Sequence, residues 1–277
     1  MLPRQWQALI QMALDEDIGQ GDVTTWATIP PERRGRMDFV ARQPLVVCGF
    51  DAAEMAYRLL DPAVKVVRLC PEGERVAGGT PILRVEGPAA SLLSGERVAL
   101  NFVQHLSAIA TITRTVVDQV RDLAVTILDT RKTTPGWRPL EKYAVRVGGA
   151  KNHRYGLSDA VLIKDNHIAA AGGIRAALER VRQRVGPTVV IEVEVDRLDQ
   201  IPEALAGRPH GILLDNMDLD SLRQAVAMIH PHAWVEASGG IRPDNVRAVA
   251  ETGVDFISLG YLTHSAPAVD IGADWVD

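Results

Sequence analysis

Short apolar stretches alternate with helix-length segments along the second half of the chain. The stretches are VTILDT, AVLIKD, TVVIEVEV, GILLDN, AWVEASGG and DFISLG. Each is long enough for a buried strand, and the segment after it is long enough for a helix. The alternation predicts six βα units around a parallel sheet, which is the arrangement of an α/β barrel.

The first hundred residues have a different pattern. An amphipathic helix is predicted around Gln5–Leu14, followed by the strand-like runs MDFVARQ, LVVCGF and VKVVRL. They predict a small α/β sandwich. From Leu92 to about Val120, apolar residues recur every three or four positions, which predicts one long helix or a helix pair that connects two domains. We place the domains at residues 1–107 and 108–277.

Polar groups follow each predicted barrel strand. In a barrel of parallel strands the carboxyl ends open onto one face, where ligand sites are built. The strand-end groups are Asp129 to Lys132, Lys164 to His167, Glu192 and Glu194, Asp215-Asn216, Ser238 to Gly240, and Gly260 with Thr263-His264. The sequence therefore predicts a charged mouth above an apolar barrel.

Composition excludes several classes of protein. A formal charge of −5 over 277 residues, without a run of five or six like charges, shows no nucleic-acid footprint. Cys48 and Cys70 are too few for a disulfide framework and are expected to be reduced core residues. The N-terminus lacks the features of a signal peptide, and no apolar run reaches the roughly 20 residues that span a bilayer. A cytoplasmic location is expected.

Cations are densest between residues 128 and 167. Arg131 and Lys132 directly follow a strand, and a guanidinium fork beside a point charge suits a polyanionic ligand. The alternative is that both cations are ordinary surface charges that only keep the loop soluble. The glycine-flanked loop GGAKNHRYG adds Lys151, His153 and Arg154 for anion capture, although such loops are commonly mobile connections.

Two other cations, Lys142 and Arg146, lie four residues apart on a predicted helix, and we expect both on its solvated face.

Three further strand ends carry candidate chemistry. Lys164 is either a Schiff-base lysine or a cation that contacts phosphate, and spacing does not separate the two roles. Glu194 and Asp215 end consecutive strands and suit Mg²⁺ or ribose hydroxyls, with structural ion pairs as the alternative.

The last strands end in glycine. Ser238, Gly239 and Gly240, a helix predicted near Pro243, and Gly260 together predict a phosphate site built from backbone N–H groups. His264 follows Gly260 and is either part of that site or a surface residue.

These motifs resemble the quinolinate phosphoribosyltransferase family over nearly the whole chain. The matching segments are EDIGQGDVTT, GERVALNFVQHLSAIAT, DTRKTTPG, EKYAVRVGGAKNHRYGLSDAVLIKDNHI, IEVEV, LLDNM, EASGGI and ISLGYLTHS. Residues 129–167 are the most specific. Val147, Ala150 and Tyr155 depart from the pattern, where Cys, Gly and Met are common. None of the three replaces a group that meets charge, so the resemblance stands.

The resemblance implies an N-terminal α/β sandwich, a C-terminal open seven-stranded α/β barrel of TIM-like type, and a homodimer. In that dimer Arg97 reaches the partner subunit's site and binds quinolinate. The family's pattern also assigns Thr130, Arg131, His153 and Arg154 to substrate binding, with Lys132 and Lys164 near charged substrate groups. It directs Glu194 and Asp215 to ribose and Mg²⁺, and Ser238, Gly239, Gly240, Gly260 and His264 to the 5′-phosphate.

The implied reaction joins quinolinate to phosphoribosyl diphosphate, giving nicotinate mononucleotide, carbon dioxide and pyrophosphate, a step of NAD biosynthesis. Lys132, Lys164, Glu194 and Asp215 are the expected catalytic residues. No organic cofactor, nucleic acid or membrane is expected. Two other readings stay open, a Schiff-base lyase and a non-catalytic phosphometabolite-binding barrel. A homologue associated with molybdenum transport shares DTRKT but lacks an intact KNHR loop, so the loop favours the quinolinate enzyme.

Overall fold

The computed structural model describes residues 4–276. They form two compact units. The first runs to Arg114 and takes in Thr133–Gly149 and the segment from Ser265 onward; the second comprises Thr115–Lys132 and Ala150–His264. Both units are discontinuous in sequence, whereas the predicted division at residue 107 is continuous. That division stays a prediction.

The first unit contains most of the N-terminal elements. In chain order they are α1 (Arg4–Ile18), α2 (Val23–Thr28), β1 (Arg34–Ala41), β2 (Leu45–Val46), α3 (Phe50–Leu60), β3 (Lys65–Arg68), β4 (Arg75–Val76), β5 (Pro81–Pro88) and α4 (Ala89–Val120). The predicted long helix is therefore one helix. β1 pairs antiparallel with β5, and β5 with β3. Phe39, Phe50 and Tyr57 are fully buried in this unit.

The barrel elements follow, together with two more elements of the first unit. They are β6 (Thr126–Leu128), α5 (Arg138–Val147), β7 (Val161–Ile163), α6 (Asp165–Ala171), α7 (Ile174–Arg184), β8 (Ile191–Val195), α8 (Ile201–Ala206), β9 (Gly211–Asp215), α9 (Leu219–Ile229), β10 (Trp234–Ser238), α10 (Val246–Ala250), β11 (Phe256–Ser258), α11 (Tyr261–His264) and β12 (Ile271–Val276). α5 and β12 belong to the first unit, where β12 pairs with β1.

All six predicted barrel strands are confirmed. They form a parallel sheet in the order β6-β11-β10-β9-β8-β7. The seventh strand that the resemblance implies is reduced, in the described residues, to one parallel bridge between Lys151 and Leu128 at the β6 edge. Lys151 N–H donates to the Ile127 carbonyl at 2.9 Å. The KNHR loop thus begins beside the end of β6.

One prediction in the first unit is wrong. Arg146 is exposed as expected, but Lys142 is only 1% exposed. Lys142 follows Glu141, which is itself 0% exposed, and both lie on the buried side of α5 with Leu140 and Val145. A spacing of four residues shows which side chains share a helix face, but it does not show whether that face is covered.

The cysteines are free, as expected, although only Cys48 is a core residue and Cys70 is half-buried. No helix among residues 4–276 combines the length and apolar character needed to cross a membrane.

Candidate active site

Strand β8 places two carboxylates on one face of the barrel sheet. Ile191, Val193 and Val195 are buried and alternate with Glu192 and Glu194. Because successive side chains of a strand point to opposite faces, the apolar residues share one face and the glutamates share the other. The pattern that makes IEVEV a strand therefore also directs both carboxylates the same way.

Strand register sets the height of each side chain. Across β8, β9 and β10, Glu192 is level with Gly211 and Trp234, and Glu194 with Leu213 and Glu236. Asp215 is level with Ser238, two residues nearer the strand ends than Leu213 and Glu236. The predicted residues Glu194, Asp215 and Ser238 therefore lie nearer the carboxyl ends of the strands than Glu192 does.

The turn after β6 presents Arg131 and Lys132. The Lys132 N–H donates to the Thr130 hydroxyl at 3.0 Å, and the Thr263 hydroxyl donates to the Lys132 carbonyl at 2.6 Å. Thr130 thus shapes this turn with its side chain. A Cβ on Gly260 would lie 2.9 Å from Lys132 Cδ and 3.0 Å from His264 Nε2. Glycine at this position lets Lys132 and His264 approach each other.

Asp129 anchors the KNHR loop to the same strand. Its side chain is fully buried and accepts hydrogen bonds from Asn152 Nδ2 at 2.5 Å and from the His153 N–H at 2.9 Å. A buried carboxylate needs such donors to offset its lost hydration. The loop that carries His153 and Arg154 is therefore held at the end of β6.

Below the loop, His153 contacts two buried glutamates. Its Nε2 lies 3.2 Å from Glu192 Oε2 and 3.3 Å from Glu236 Oε2. Burial opposes charge on the ring, as does the Arg154 N–H that donates to Nδ1 at 2.7 Å. The carboxylates favour charge, and together they raise the pKa of His153 to about 10. Burial also raises the pKa of Glu236.

The same three groups have the chemistry of a metal site, since their ligand atoms lie within 4.8 Å of one another. A metal ion there would have to displace the proton that Nε2 shares with the glutamates. The trio is better described as a hydrogen-bonded cluster. Both ring nitrogens of His153 contact protein groups, so His153 holds the loop in place. Its role in substrate binding stays a prediction.

Arg154 and Arg131 bring two positive charges together at the mouth. Burial lowers the pKa of Arg154, and the positive charge of Arg131 lowers it further. Both side chains are half-buried. The carboxylates of Asp159, Glu192 and Glu194 act on Arg154 in the opposite direction, and the net pKa shift is still downward. An anion between the two guanidinium groups would relieve the repulsion that remains. This pair is therefore an electrostatic indication of an anionic ligand.

Lys164 and Glu194 form an ion pair at the ends of β7 and β8. Next along the sheet, Asp215 Oδ2 accepts a hydrogen bond from Asn216 Nδ2 at 2.8 Å. Each carboxylate is bound through one oxygen in these contacts, which leaves its second oxygen for a hydroxyl or a cation. A Schiff-base lysine reacts as the neutral amine, so the ion pair favours the contact role for Lys164.

The end of β10 turns on two glycines with positive φ, Gly239 at 89° and Gly240 at 64°. Left-handed conformations at consecutive residues suit glycine, and turns of successive backbone N–H groups are a known means of binding anions. The helix expected near Pro243 begins only at Val246 and has five residues. The residues before it form a turn in which the Arg242 N–H donates to Asn245 Oδ1 at 2.8 Å. Any phosphate contact there would rest on the glycine turn rather than on a helix terminus.

The second unit contains every predicted site residue except Arg97. Arg97 is exposed on α4 in the first unit. The positions of the remaining residues agree with a shared mouth, and their roles stay predictions.

Sequence reasoning missed three contributors. Asp129 and Glu192 were recognised as strand-end groups without a role, and Glu236 was overlooked. The signal for Glu236 was a single acidic residue inside the apolar run AWVEAS, because a buried carboxylate of that kind requires a partner.

The fold and this cluster of cations and carboxylates are those of a barrel that binds phosphorylated anions. Comparison with known families is more specific. The domain described as "Quinolinate phosphoribosyl transferase, N-terminal domain" matches residues 22–107, and the corresponding C-terminal domain matches residues 109–274. The chain belongs to the quinolinate phosphoribosyltransferase family.

Individual relatives agree. The chain is 45% identical to a probable nicotinate-nucleotide pyrophosphorylase [carboxylating] of Synechocystis, over 95% of this chain and 90% of the relative. It is 44% identical to the Bacillus subtilis protein of the same name, over 98% and 93%. The solved nicotinate-nucleotide pyrophosphorylase of Francisella tularensis superposes with a TM-score of 0.95 at 36% identity, covering 100% of this chain and 98% of that one.

Proposed function

We propose that the protein transfers the phosphoribosyl group of phosphoribosyl diphosphate to quinolinate with decarboxylation, producing nicotinate mononucleotide. The observation that carries the proposal is the pair of half-buried guanidiniums, Arg131 and Arg154, with the carboxylates of Glu192 and Glu194 near Arg154. Quinolinate is a dianion, and a guanidinium fork matches a carboxylate in shape and charge. Family membership supplies the identity of the dianion.

Two parts of phosphoribosyl diphosphate, the 5′-phosphate and the ribose, have candidate binding groups in this arrangement. The Ser238–Gly240 turn, Gly260 and His264 suit the 5′-phosphate, and Lys132 lies against Gly260. The free oxygens of Glu194 and Asp215 suit the ribose hydroxyls. Binding both anions requires a dense cationic lining, because bringing like charges together in a partly desolvated mouth is unfavourable.

The same carboxylates fit Mg²⁺, which takes one or two carboxylate oxygens together with substrate phosphate oxygens. Glu194 and Asp215 would hold it through the oxygens that Lys164 and Asn216 leave free. Bound there, the ion would neutralise charge on the departing pyrophosphate.

The transfer step forms one bond and breaks another. The pyridine nitrogen lone pair forms a bond to the anomeric carbon, and the electrons of the anomeric C–O bond leave with pyrophosphate. Positive charge develops on the ribose at this stage, and Glu194 and Asp215 would stabilise it. Arg131 and Arg154 hold the quinolinate carboxylates so that the nitrogen faces the ribose.

Decarboxylation follows from the charge of the alkylated ring. The carboxylate at C2 leaves as carbon dioxide, and the electrons of the broken C–C bond stay on C2, next to the quaternary nitrogen. C2 then takes up a proton, which gives the hydrogen found in nicotinate mononucleotide. The quaternary nitrogen is the electron sink, so the reaction needs no organic cofactor.

We propose further that the protein is a homodimer in which Arg97 completes the partner subunit's site. Its exposure on α4 makes the side chain accessible to a second copy. Inactive Arg97→Ala and Lys132→Ala proteins, mixed after mild dissociation, should regain part of the parent activity through hybrid dimers. Arg97 acting within its own chain predicts no recovery. A cytoplasmic location stays a prediction.

The test of function supplies quinolinate, phosphoribosyl diphosphate and Mg²⁺ and measures nicotinate mononucleotide, with nicotinate as the control substrate. Product from quinolinate supports the proposal, and product from nicotinate alone contradicts it. Borohydride trapping of Lys164 with a carbonyl substrate would instead indicate a lyase. Binding of phosphoribosyl diphosphate without release of pyrophosphate would indicate a binding protein.

A further inference from the structure

Asn216 has an unusual backbone conformation at the end of β9. Its φ is 54°, and Arg208 at 52° is the other non-glycine residue with positive φ among residues 4–276. Left-handed conformations are uncommon for residues with a Cβ, and asparagine tolerates them best. Such strain at a strand end on the side where ligand sites form gives reason to ask what the conformation achieves.

The conformation directs the side chain of Asn216 back toward Asp215. Asn216 Nδ2 donates to Asp215 Oδ2 at 2.8 Å, and the Asn216 backbone N–H donates to the Ser238 carbonyl at 2.9 Å. The first bond sets the direction of the carboxylate. The second ties the end of β9 to the end of β10.

The other side of the amide group packs against the glycine turn. A Cβ on Gly239 would lie 2.3 Å from Asn216 Oδ1 and 2.8 Å from its backbone nitrogen, distances that no side chain could occupy. Gly239 also has a φ of 89°. Glycine is therefore required at 239 for two reasons, and one of them is the presence of Asn216.

We propose that Asn216 is a positioning residue that sets the spacing between the Asp215 carboxylate and the Ser238–Gly240 turn. The inference rests on the proposed function, in which these two groups bind the ribose hydroxyls and the 5′-phosphate of one phosphoribosyl group. The separation between those groups is covalently limited, so the protein groups that bind them must be held at a matching distance. Quinolinate meets neither group, so its binding should not depend on Asn216.

Two substitutions separate positioning from a purely structural role. Asn216→Asp keeps the size and the tolerance for a left-handed backbone, but it replaces the donor to Asp215 with a second negative charge. Asn216→Gly keeps the backbone freedom and removes the whole side chain. If Asn216 mattered only as a left-handed residue, both variants would behave like the parent.

The matched control is Arg208→Gly. Arg208 has the same backbone conformation but lies in the loop between α8 and β9, at the opposite end of β9 from Asp215. Because glycine accepts the left-handed backbone there, this variant should keep the parent's KM values.

The experiment measures kcat, both KM values and the thermal midpoint of the parent and the three variants. We expect Asn216→Asp to raise the KM for phosphoribosyl diphosphate about tenfold or more, as for loss of a hydrogen bond to a charged group. Asn216→Gly should raise it less, and neither should change the KM for quinolinate or the thermal midpoint. An unchanged KM for phosphoribosyl diphosphate in Asn216→Asp, or an equal rise for both substrates, overturns the inference.

Calorimetric binding of ribose 5-phosphate separates this inference from the proposed function. That ligand carries both the hydroxyls and the 5′-phosphate but undergoes no transfer. Weaker binding by Asn216→Asp than by the parent supports positioning even if the parent forms no nicotinate mononucleotide, a result that would contradict the proposed function alone. Equal binding by both proteins overturns the positioning role even where the parent is fully active.

Discussion

Each unit of the molecule packs a histidine against buried acidic side chains, and the two clusters differ in what surrounds them. In the first unit, His105 Nε2 lies 2.9 Å from Glu141 Oε1, and the Thr134 N–H donates to Glu141 Oε2 at 3.1 Å. In the barrel, one nitrogen of His153 contacts both Glu192 and Glu236. The first cluster joins two helices and a loop, whereas the second lies under a loop at the strand ends.

The difference shows why burial of charge alone does not identify a site. Glu141 is fully buried, and both of its oxygens are bound by protein groups, so it needs nothing from outside. In the barrel, the residue after His153 is Arg154, whose charge is held close to that of Arg131. Charges of one sign that the protein itself brings together indicate a ligand.

The largest expected effect comes from removing a barrel cation. Arg131→Ala should raise the quinolinate KM sharply, at a cost of about 2–5 kcal/mol if the lost partner is a desolvated carboxylate. The control is Arg223→Ala, which removes an exposed arginine paired with Asp220 on α9. Steady-state kinetics with both substrates tests this. If the two variants have the same quinolinate KM, Arg131 does not belong to the site.

The first-unit cluster should respond in stability instead. Glu141→Ala removes a buried carboxylate that accepts from the Thr134 N–H and contacts His105 Nε2, and it should lower the free energy of unfolding by about 1–3 kcal/mol. The quinolinate KM of the folded variant should stay near that of the parent. Urea unfolding and kinetics on the same sample decide the matter, since a large rise in KM at unchanged stability would reverse the contrast drawn between the clusters.

The stability of the protein should depend on pH through the charge of His153, and a neutral residue at this position should remove that dependence. The pKa of His153 is raised to about 10 in the folded protein. Its stabilising contribution is therefore complete below the unfolded value of about 6.5 and is lost as pH rises through 10. The parent and His153→Gln are compared by urea unfolding at a series of pH values. The difference between their free energies of unfolding should become smaller as pH rises from about 6.5 to 10. A constant difference would show that the ring does not titrate in this range.

The smallest effect is expected at an exposed ion pair of the second unit. Arg247 contacts Asp122 at 2.9 Å, and hydrogen bonding to Arg247 lowers the pKa of Asp122 to about 2. Because both side chains are exposed, solvent and salt screen the pair. Asp122→Asn should leave both the thermal midpoint and the kinetics unchanged. A clear loss of stability would show that solvent screens surface pairs here less than expected.

Much of the barrel could be predicted because its strands consist mainly of apolar residues and end in polar groups. That pattern located all six strands and the level at which Glu194, Asp215 and Ser238 occur. Periodicity could not show that the seventh strand is reduced, in the described residues, to a single bridge at Lys151. One paired residue produces no repeating pattern in the sequence.

Other features depend on contacts between segments distant in sequence. Lys142 looked solvated because a helix repeat does not reveal what covers each face. Asn216 was recognised only as a polar strand-end group, because its contact with Gly239 joins two different strand ends. The role of Glu236 could not be predicted without knowing that His153 contacts it.

The measurement that tests the account most directly follows quinolinate labelled in the C2 carboxylate. With phosphoribosyl diphosphate and Mg²⁺, the parent should release labelled carbon dioxide and pyrophosphate in equal amounts, and Arg131→Ala should release little of either at the same quinolinate concentration. Pyrophosphate without labelled carbon dioxide, or release of neither by the parent, would contradict the proposal that this barrel mouth couples phosphoribosyl transfer to decarboxylation.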